Sequence, residues 1–289
     1  MRNITNILLS LMCMAGFLPS CTEDDTVKER TYDLSFGFES LTEFANIGKQ
    51  SFVAGDSVSL LAWKKNAEIV DLSGLVINNL RWGYNGGEWF PAEELNKEMA
   101  EGAETIVALY PHLNATYDSE YLKSVPLNRE TDLLYARVAA NNGLPAEELR
   151  LRSVFAALAV SFDGGVAPTV GAFTIKMFDQ AFLNVLTGEV ITSDVREKVT
   201  LEKSTKVKSL FAAQIVPQTL VGGTTFMVSG ISYTYDGEDV AVDSGEVLLL
   251  NFKVIPGETE DKGIVTVLDK EDFDIKDFDD NGMVEGELD

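Results

Sequence analysis

Tyr32, Leu34, Phe36 and Phe38 alternate without a break with Thr31, Asp33, Ser35 and Gly37. A period of two puts the four apolar side chains on one face of an extended segment and the small or polar ones on the other. A helix would scatter them around its circumference, so residues 31–38 read as a half-buried strand. Short apolar runs recur at 57–63, 105–109, 154–162, 173–177, 210–216, 225–235, 246–254 and 263–268. Turn chemistry separates them: Ala54-Gly55-Asp56, Asn85-Gly86-Gly87, Asp163-Gly164-Gly165, Gly222-Gly223 and Tyr235-Asp236-Gly237. Asp236-Gly237 between two runs reads as a hairpin. Helix signals are few. Residues 91–100 open with Pro91 and carry early acids, and 145–149 could supply one turn. The chain is therefore expected to be mainly β and built of sandwiches. Its best internal boundary is the Asp163 to Pro168 turn.

The first twenty residues belong to a different regime. Arg2 precedes an apolar stretch, 4–18, that is too short to cross a bilayer, which takes about 20 residues. Its length is that of the apolar region of a signal peptide. The stretch ends in Leu18-Pro19-Ser20-Cys21, which resembles a bacterial lipobox. Residues 1–20 are thus expected to be a type II signal peptide, cut between Ser20 and Cys21, with Cys21 acylated and holding the chain in the outer membrane. Residues 21–30 then form an acidic tether. Its Glu23, Asp24 and Asp25 resemble the surface-export signal of lipoproteins in Gram-negative anaerobes.

Composition narrows the function. The two cysteines are Cys13 and Cys21, so the chain after the signal peptide has no thiol for a disulfide, a metal or a nucleophile, and its core alone must hold it together. Removing 20 of 289 residues leaves 269, enough for two ordinary domains. With Arg2 gone, 22 basic residues face 46 acidic ones, a net −24. Such a surface repels nucleic acid and anionic headgroups and attracts divalent cations. The only histidine is His112, beside Pro111, and it reads as a surface residue rather than a base. No P-loop, GxGxxG after a strand or HExxH is present, and no pair of carboxylates stands out for acid–base work. Nothing points to an enzyme or to a cofactor.

A set of landmarks then resembles the fimbrillin-like (type V pilin) family. Phe52 to Leu60 (FVAGDSVSL) is similar to its "F..GD.I.v" segment. Trp82 and Trp89 flank the Asn-Gly-Gly turn, 105–111 (TIVALYP) is similar to "v.f.AyyP", and 132–136 (DLLYA) to "sDLLyA". Further on, 155–162, the Asn184 to Gly188 turn and Val216-Pro217-Gln218-Thr219 follow in the family's order, so the resemblance covers most of 31–250. The histidine that usually precedes the 155–162 strand is missing, Ser153 or a neighbour standing there, and 255–289 match nothing in the family.

The resemblance implies two consecutive transthyretin-like β-sandwich domains, here 31–165 and 166–289. It implies a structural fimbrial subunit or anchor at the cell surface that supports adhesion, with other fimbrial subunits as partners through strand exchange. In stalk subunits of the family an outer-surface protease cuts after a basic residue, usually Arg, beyond the first strand, and a neighbour's strand fills the groove. Here the only basic residue between the first strand and Phe52 is Lys49, while Arg30 lies before the strand. Lys49 ranks ahead of Arg30 as a processing position, and the lack of an arginine there favours an uncut anchor or accessory subunit.

Two other readings stand beside this one. A surface glycan-binding lipoprotein of a nutrient-uptake system would use Trp82, Trp89 and Phe90 as a platform; the alternative is that the two tryptophans pack in the first sandwich. At the C-terminus, Asp277-Phe278-Asp279-Asp280-Asn281-Gly282 has the start of a calcium loop, with Asp277, Asp279, Asn281 and Glu285 as candidate ligands. Leu288 stands where the bidentate Glu belongs, so this loop is incomplete.

Overall fold

Leu60, Leu61, Ala62 and Trp63 form a continuous apolar run rather than an alternating one, as a strand needs when both its faces are covered. The computed structural model shows this strand at the centre of the first of two large sheets. It describes residues 34–41, 47–64, 71–95, 97–113, 118–140, 143–144, 148–163, 171–207, 210–255 and 262–268. These fall within one compact unit, Tyr32–Asp289. Two short helices, α1 (Lys97–Gly102) and α2 (Ser119–Lys123), interrupt an otherwise β chain. Among the described residues no helix is long and apolar enough to cross a membrane.

The first half contributes β1 (Ser35–Phe38), β2 (Ser57–Lys64), β3 (Leu75–Tyr84), β4 (Trp89–Pro91), β5 (Ala103–Tyr110), β6 (Val125–Pro126), β7 (Leu134–Ala139) and β8 (Glu148–Ser153). Seven of them form one sheet in the order β1-β8-β7-β5-β2-β3-β4. The sheet curls until its two edges meet: the rings of Phe36 on β1 and Trp89 on β4 are 5.0 Å apart, edge to face. Val58, Leu60, Ile106 and Trp82 fill the inside of the curl. Leu61, Trp63, Val107 and Leu109 point the other way, into a second core.

The second half contributes β9 (Ala156–Asp163), β10 (Ala172–Phe178), β11 (Ala181–Leu183), β12 (Val190–Thr192), β13 (Arg196–Lys203), β14 (Leu210–Ile215), β15 (Gln218–Leu220), β16 (Thr225–Val228), β17 (Ile231–Tyr235), β18 (Val240–Val242), β19 (Val247–Ile255) and β20 (Lys262–Leu268). Its main sheet runs β10-β13-β14-β9-β19-β20-β17-β16, and the short strands β15 and β18 pair separately. An aromatic cluster of Phe162, Phe173, Phe211, Tyr233 and Phe252 lies at the centre of its core.

Most of the expected runs are strands, with five local differences. The 225–235 run is two strands, because Ser229 (φ 52°) and Gly230 (φ 86°) turn the chain into the β16–β17 hairpin. Asp236-Gly237 is not a hairpin: β17 pairs with β16 and β20, while β18 pairs with β15. Pro91 ends β4 instead of opening a helix, and α1 begins at Lys97. Of the turn expected at 145–149, residues 145–147 lie outside the described residues, and 148–149 open β8, whose alternation Leu149, Leu151, Ser153 buries one face. The change of sheet falls between β8 and β9, because β9 is held between β14 and β19, while residues 164–168 of the expected boundary lie outside the described residues.

The halves are interleaved beyond that point. β11 pairs with both β12 and β6 in a three-stranded sheet that covers the outer face of the first sheet. Tyr135 on β7 donates to the Val185 carbonyl at 3.0 Å, its ring against Gly188 (φ 83°). Burial pushes the Tyr135 phenol up to about 12.

Candidate functional site

β1 is a four-residue strand at one edge of the first sheet, with side chains in the core. It runs parallel to β8 alone, from Ser35 opposite Glu148 to Phe38 opposite Leu151. The alternation seen in the sequence places Leu34 and Phe36 inside, both fully buried, while Phe38 is half-buried against the same core. Residues 31–33 lie outside the described residues. Phe36 meets Trp82 at 6.2 Å and Trp89 at 5.0 Å between ring centres, and Phe38 meets Phe52 at 4.9 Å. The Trp89 indole N–H donates to the Phe36 carbonyl at 3.2 Å, tying the strand across the closed curl. Burying a side chain of this size contributes about 1.5–3 kcal/mol.

The segment after β1 straps the two sheets together. Leu41 and Ile47 are buried on the outer face of the second sheet, with Ala157, Ala159, Leu210, Ala212 and Leu249. Gly48, at φ 69°, turns the chain back toward the first sheet. The Lys49 ammonium then lies 2.9 Å from the Asp56 carboxylate and donates to the Tyr110 hydroxyl at 2.8 Å, and Tyr110 donates to Asp56 at 2.9 Å. Lys49 also sits 4.3 Å from the Tyr110 ring centre, a cation–π contact. Its side chain is 9% exposed and that of Asp56 12%.

Electrostatics follow from this enclosure. Burial works against the Lys49 ammonium, but the hydrogen bonds to Tyr110 and Asp56 outweigh it and raise its pKa. Burial likewise opposes the Asp56 carboxylate, and bonds from Lys49, the Val53 N–H and Tyr110 prevail and lower its pKa. Asp132, half-buried and facing the Lys49 main chain, is pushed up by burial. Asp56 lies in the "F..GD" segment and Tyr110 in the strand before Pro111, so sequence motifs marked both. Their common partner Lys49 was singled out for a different reason.

Other sequence candidates divide sharply. Ser20, Cys21, Arg30, Asp277, Asp279, Asn281 and Glu285 lie outside the described residues. Among the described residues no group of three or more His, Cys, Asp or Glu is placed to hold a metal. His112 is half-buried rather than a free surface residue: its Nδ1 pairs with Ser59 Oγ at 2.9 Å, and the Leu113 N–H donates to the same oxygen at 2.7 Å. Ser59 is fully buried, which leaves no room for a substrate at its hydroxyl. Trp82 is buried and Trp89 half-buried in the aromatic cluster around β1, leaving Phe90, 46% exposed, as the one open ring of the supposed glycan platform.

The described residues thus form a mainly β chain of two interleaved sheets, the first of them curled and closed at a short edge strand. Its fold is that of a "putative cell adhesion protein" from Bacteroides ovatus ATCC 8483, with 12% identity, a TM-score of 0.54, and coverage of 83% of this chain and 97% of that one. This agrees with the fimbrillin-like resemblance in sequence. Another "putative cell adhesion protein", from Bacteroides uniformis ATCC 8492, is 15% identical over 75% of this chain and 93% of its own, at a TM-score of 0.47. The fimbrial anchor protein Mfa2 of Porphyromonas gingivalis is 15% identical over 81% and 96%, at 0.35. These two, below 0.5, add nothing to the assignment of fold. No family model and no curated protein matches the sequence.

Proposed function

We propose that this chain is a structural subunit of a cell-surface fimbrium, held in the outer membrane by an acylated Cys21 and acting as an anchor or accessory subunit that keeps its first strand. Neighbouring subunits join it by donating a strand to an open sheet edge, and the assembly supports adhesion. The observation that carries the reading is β1: a four-residue edge strand, paired on one side only, whose Leu34 and Phe36 complete a core. A retained strand paired on one side only leaves its other edge as the place where a neighbour's strand can add. The first and second halves are read as two β domains, divided where the sheet changes.

Lys49 supports retention of the strand. A protease that cuts after a basic residue must draw that side chain into a pocket, and here the side chain is enclosed with Asp56 and Tyr110. Mass spectrometry of the N-terminus of surface-purified protein tests the whole reading. An acylated peptide starting at Cys21 is expected. A chain starting at Gln50 would show instead a processed stalk subunit. An unmodified Cys21, with membrane attachment unchanged in Cys21→Ser, would remove the lipid anchor.

A further inference from the structure

In a chain of net charge −23, three of the eight arginines line one cavity. Arg137 on β7 and Arg150 and Arg152 on β8 face a space of about 450 Å³ with Tyr135, Val154 and Ser244, and no acidic side chain lines it. Tyr135 stands opposite Arg152 where the two strands pair. Among the described residues the cluster has two ion pairs, Arg150 with Glu148 and Arg152 with Glu39, each at 3.3 Å and with every side chain at least 47% exposed. Pairs so exposed contribute little. Arg137 reaches the Thr187 carbonyl at 3.4 Å. These contacts engage a minority of the five N–H donors that each guanidinium carries, counted among the described residues.

The chain supplies a matching counter-charge. β20 runs antiparallel to β19 and ends with Leu268 opposite Leu249, heading for the start of β19. There the Ser244 hydroxyl donates to the Val154 carbonyl at 2.9 Å, and both residues line the arginine cavity. Five residues separate Leu249 from Ser244, about 17 Å at most. The sequence of 269–289, outside the described residues, holds ten acidic residues and two lysines. It places acids at alternate positions in Asp272-Phe273-Asp274, Asp277-Phe278-Asp279 and Glu285-Gly286-Glu287. Alternate residues of an extended chain recur every ~6.6–6.8 Å, which is also the spacing of Arg150 and Arg152 on β8. Guanidinium forks suit carboxylates at such spacing.

We propose that residues 269–289 dock on their own chain through alternate carboxylates seated on Arg137, Arg150 and Arg152. The double variant Arg150→Lys/Arg152→Lys of the full-length protein keeps the charge and allows zero-length carbodiimide coupling. Peptides joining position 150 or 152 to an acid within 269–289 are expected in the monomer band. Their yield should fall at least about tenfold between low salt and 1 M NaCl, where screening shortens to ~3 Å. Such links confined to a covalent dimer would overturn the proposal in favour of a second copy. Their absence, while Glu39 and Glu148 still couple, would overturn it outright. Absence together with heparin retention that Arg150→Ala/Arg152→Ala removes would assign the cluster to an external polyanion.

Discussion

Phe36→Ala tests whether β1 is integral to the first sheet. Phe36 is 3% exposed and touches both Trp82 and Trp89. Truncating a buried phenylalanine costs about 3–5 kcal/mol through lost transfer energy and the cavity left behind. A four-residue strand paired on one side can settle into part of that space, so the lower end, about 3 kcal/mol, is expected. For a unit of this size 1 kcal/mol corresponds to about 2–4 °C, hence a fall in Tm of about 6–12 °C. The chain has three tryptophans, Trp63, Trp82 and Trp89, all on β2 to β4, so indole fluorescence during urea unfolding reports on the first sheet. Phe90→Ala is the control: Phe90 is on the adjacent face of β4 and 46% exposed, and should cost under about 1 kcal/mol. If Phe36→Ala cost no more than Phe90→Ala, β1 would not be part of the core and the reading of a subunit that keeps its first strand would fail.

Three further outcomes follow from the same geometry. Lys49→Met should destabilise by about 1–2 kcal/mol, since Asp56 keeps its bonds from Val53 and Tyr110 but loses its cation. The lowered Asp56 pKa contributes stability above about pH 4 that is lost as pH falls further, and the raised Lys49 pKa contributes stability lost only above about pH 10.5. The Lys49→Met deficit should therefore be constant from about pH 5 to 9 in urea titrations, and a deficit that vanishes within that range would refute the clamp. Burial, then the Arg81 charge, lower the His112 pKa, so the unfolded chain takes up the proton first and stability drops as pH falls below about 6.5. The Tm of His112→Gln should accordingly decline less than that of the wild type between pH 7 and 5, and parallel profiles would contradict the assignment. If Asp277, Asp279, Asn281 and Glu285 bind calcium, millimolar Ca²⁺ should raise Tm and Asp279→Ala should cancel the rise; calorimetry without heat at several millimolar would end that reading.

The sequence is most informative where a strand has one buried face or two. The alternation of 31–38 and the unbroken run around Leu60 and Trp63 predict strands that the structure contains. β13, with only Val199 and Leu201 buried among charged residues, has too little apolar signal to stand out. β8 was hidden for a similar reason: Glu148, Arg150 and Arg152 look helical by propensity, and only its pairing with β1 and β7 makes it a strand. Pro91 misleads because a proline suits the last residue of an edge strand as well as the first turn of a helix. Lys49 was legible as the sole cation of its segment, but not as the partner of Asp56 and Tyr110. It lies seven positions before Asp56 and 61 before Tyr110, and only the fold brings all three together.

The interleaving bears on how β1 could act. In two separate sandwiches the first strand would concern its own sheet alone. Here the segment that follows it places Leu41 and Ile47 in a core of the second sheet, while the β11–β12 hairpin of the second half covers the first sheet. Removing β1 while leaving the chain cut beyond Lys49 would therefore uncover two surfaces: the groove beside Trp82 and Trp89, and the patch around Ala157, Ala159 and Leu249. A donor strand with alternating apolar residues could refill the groove, but it would leave the patch exposed unless it brought its own equivalents of Leu41 and Ile47. Loss of the first strand thus has a cost in both halves of this chain, whereas keeping it leaves every buried surface covered. On energetic grounds the architecture is better matched to a subunit that retains β1 than to one that gives it up.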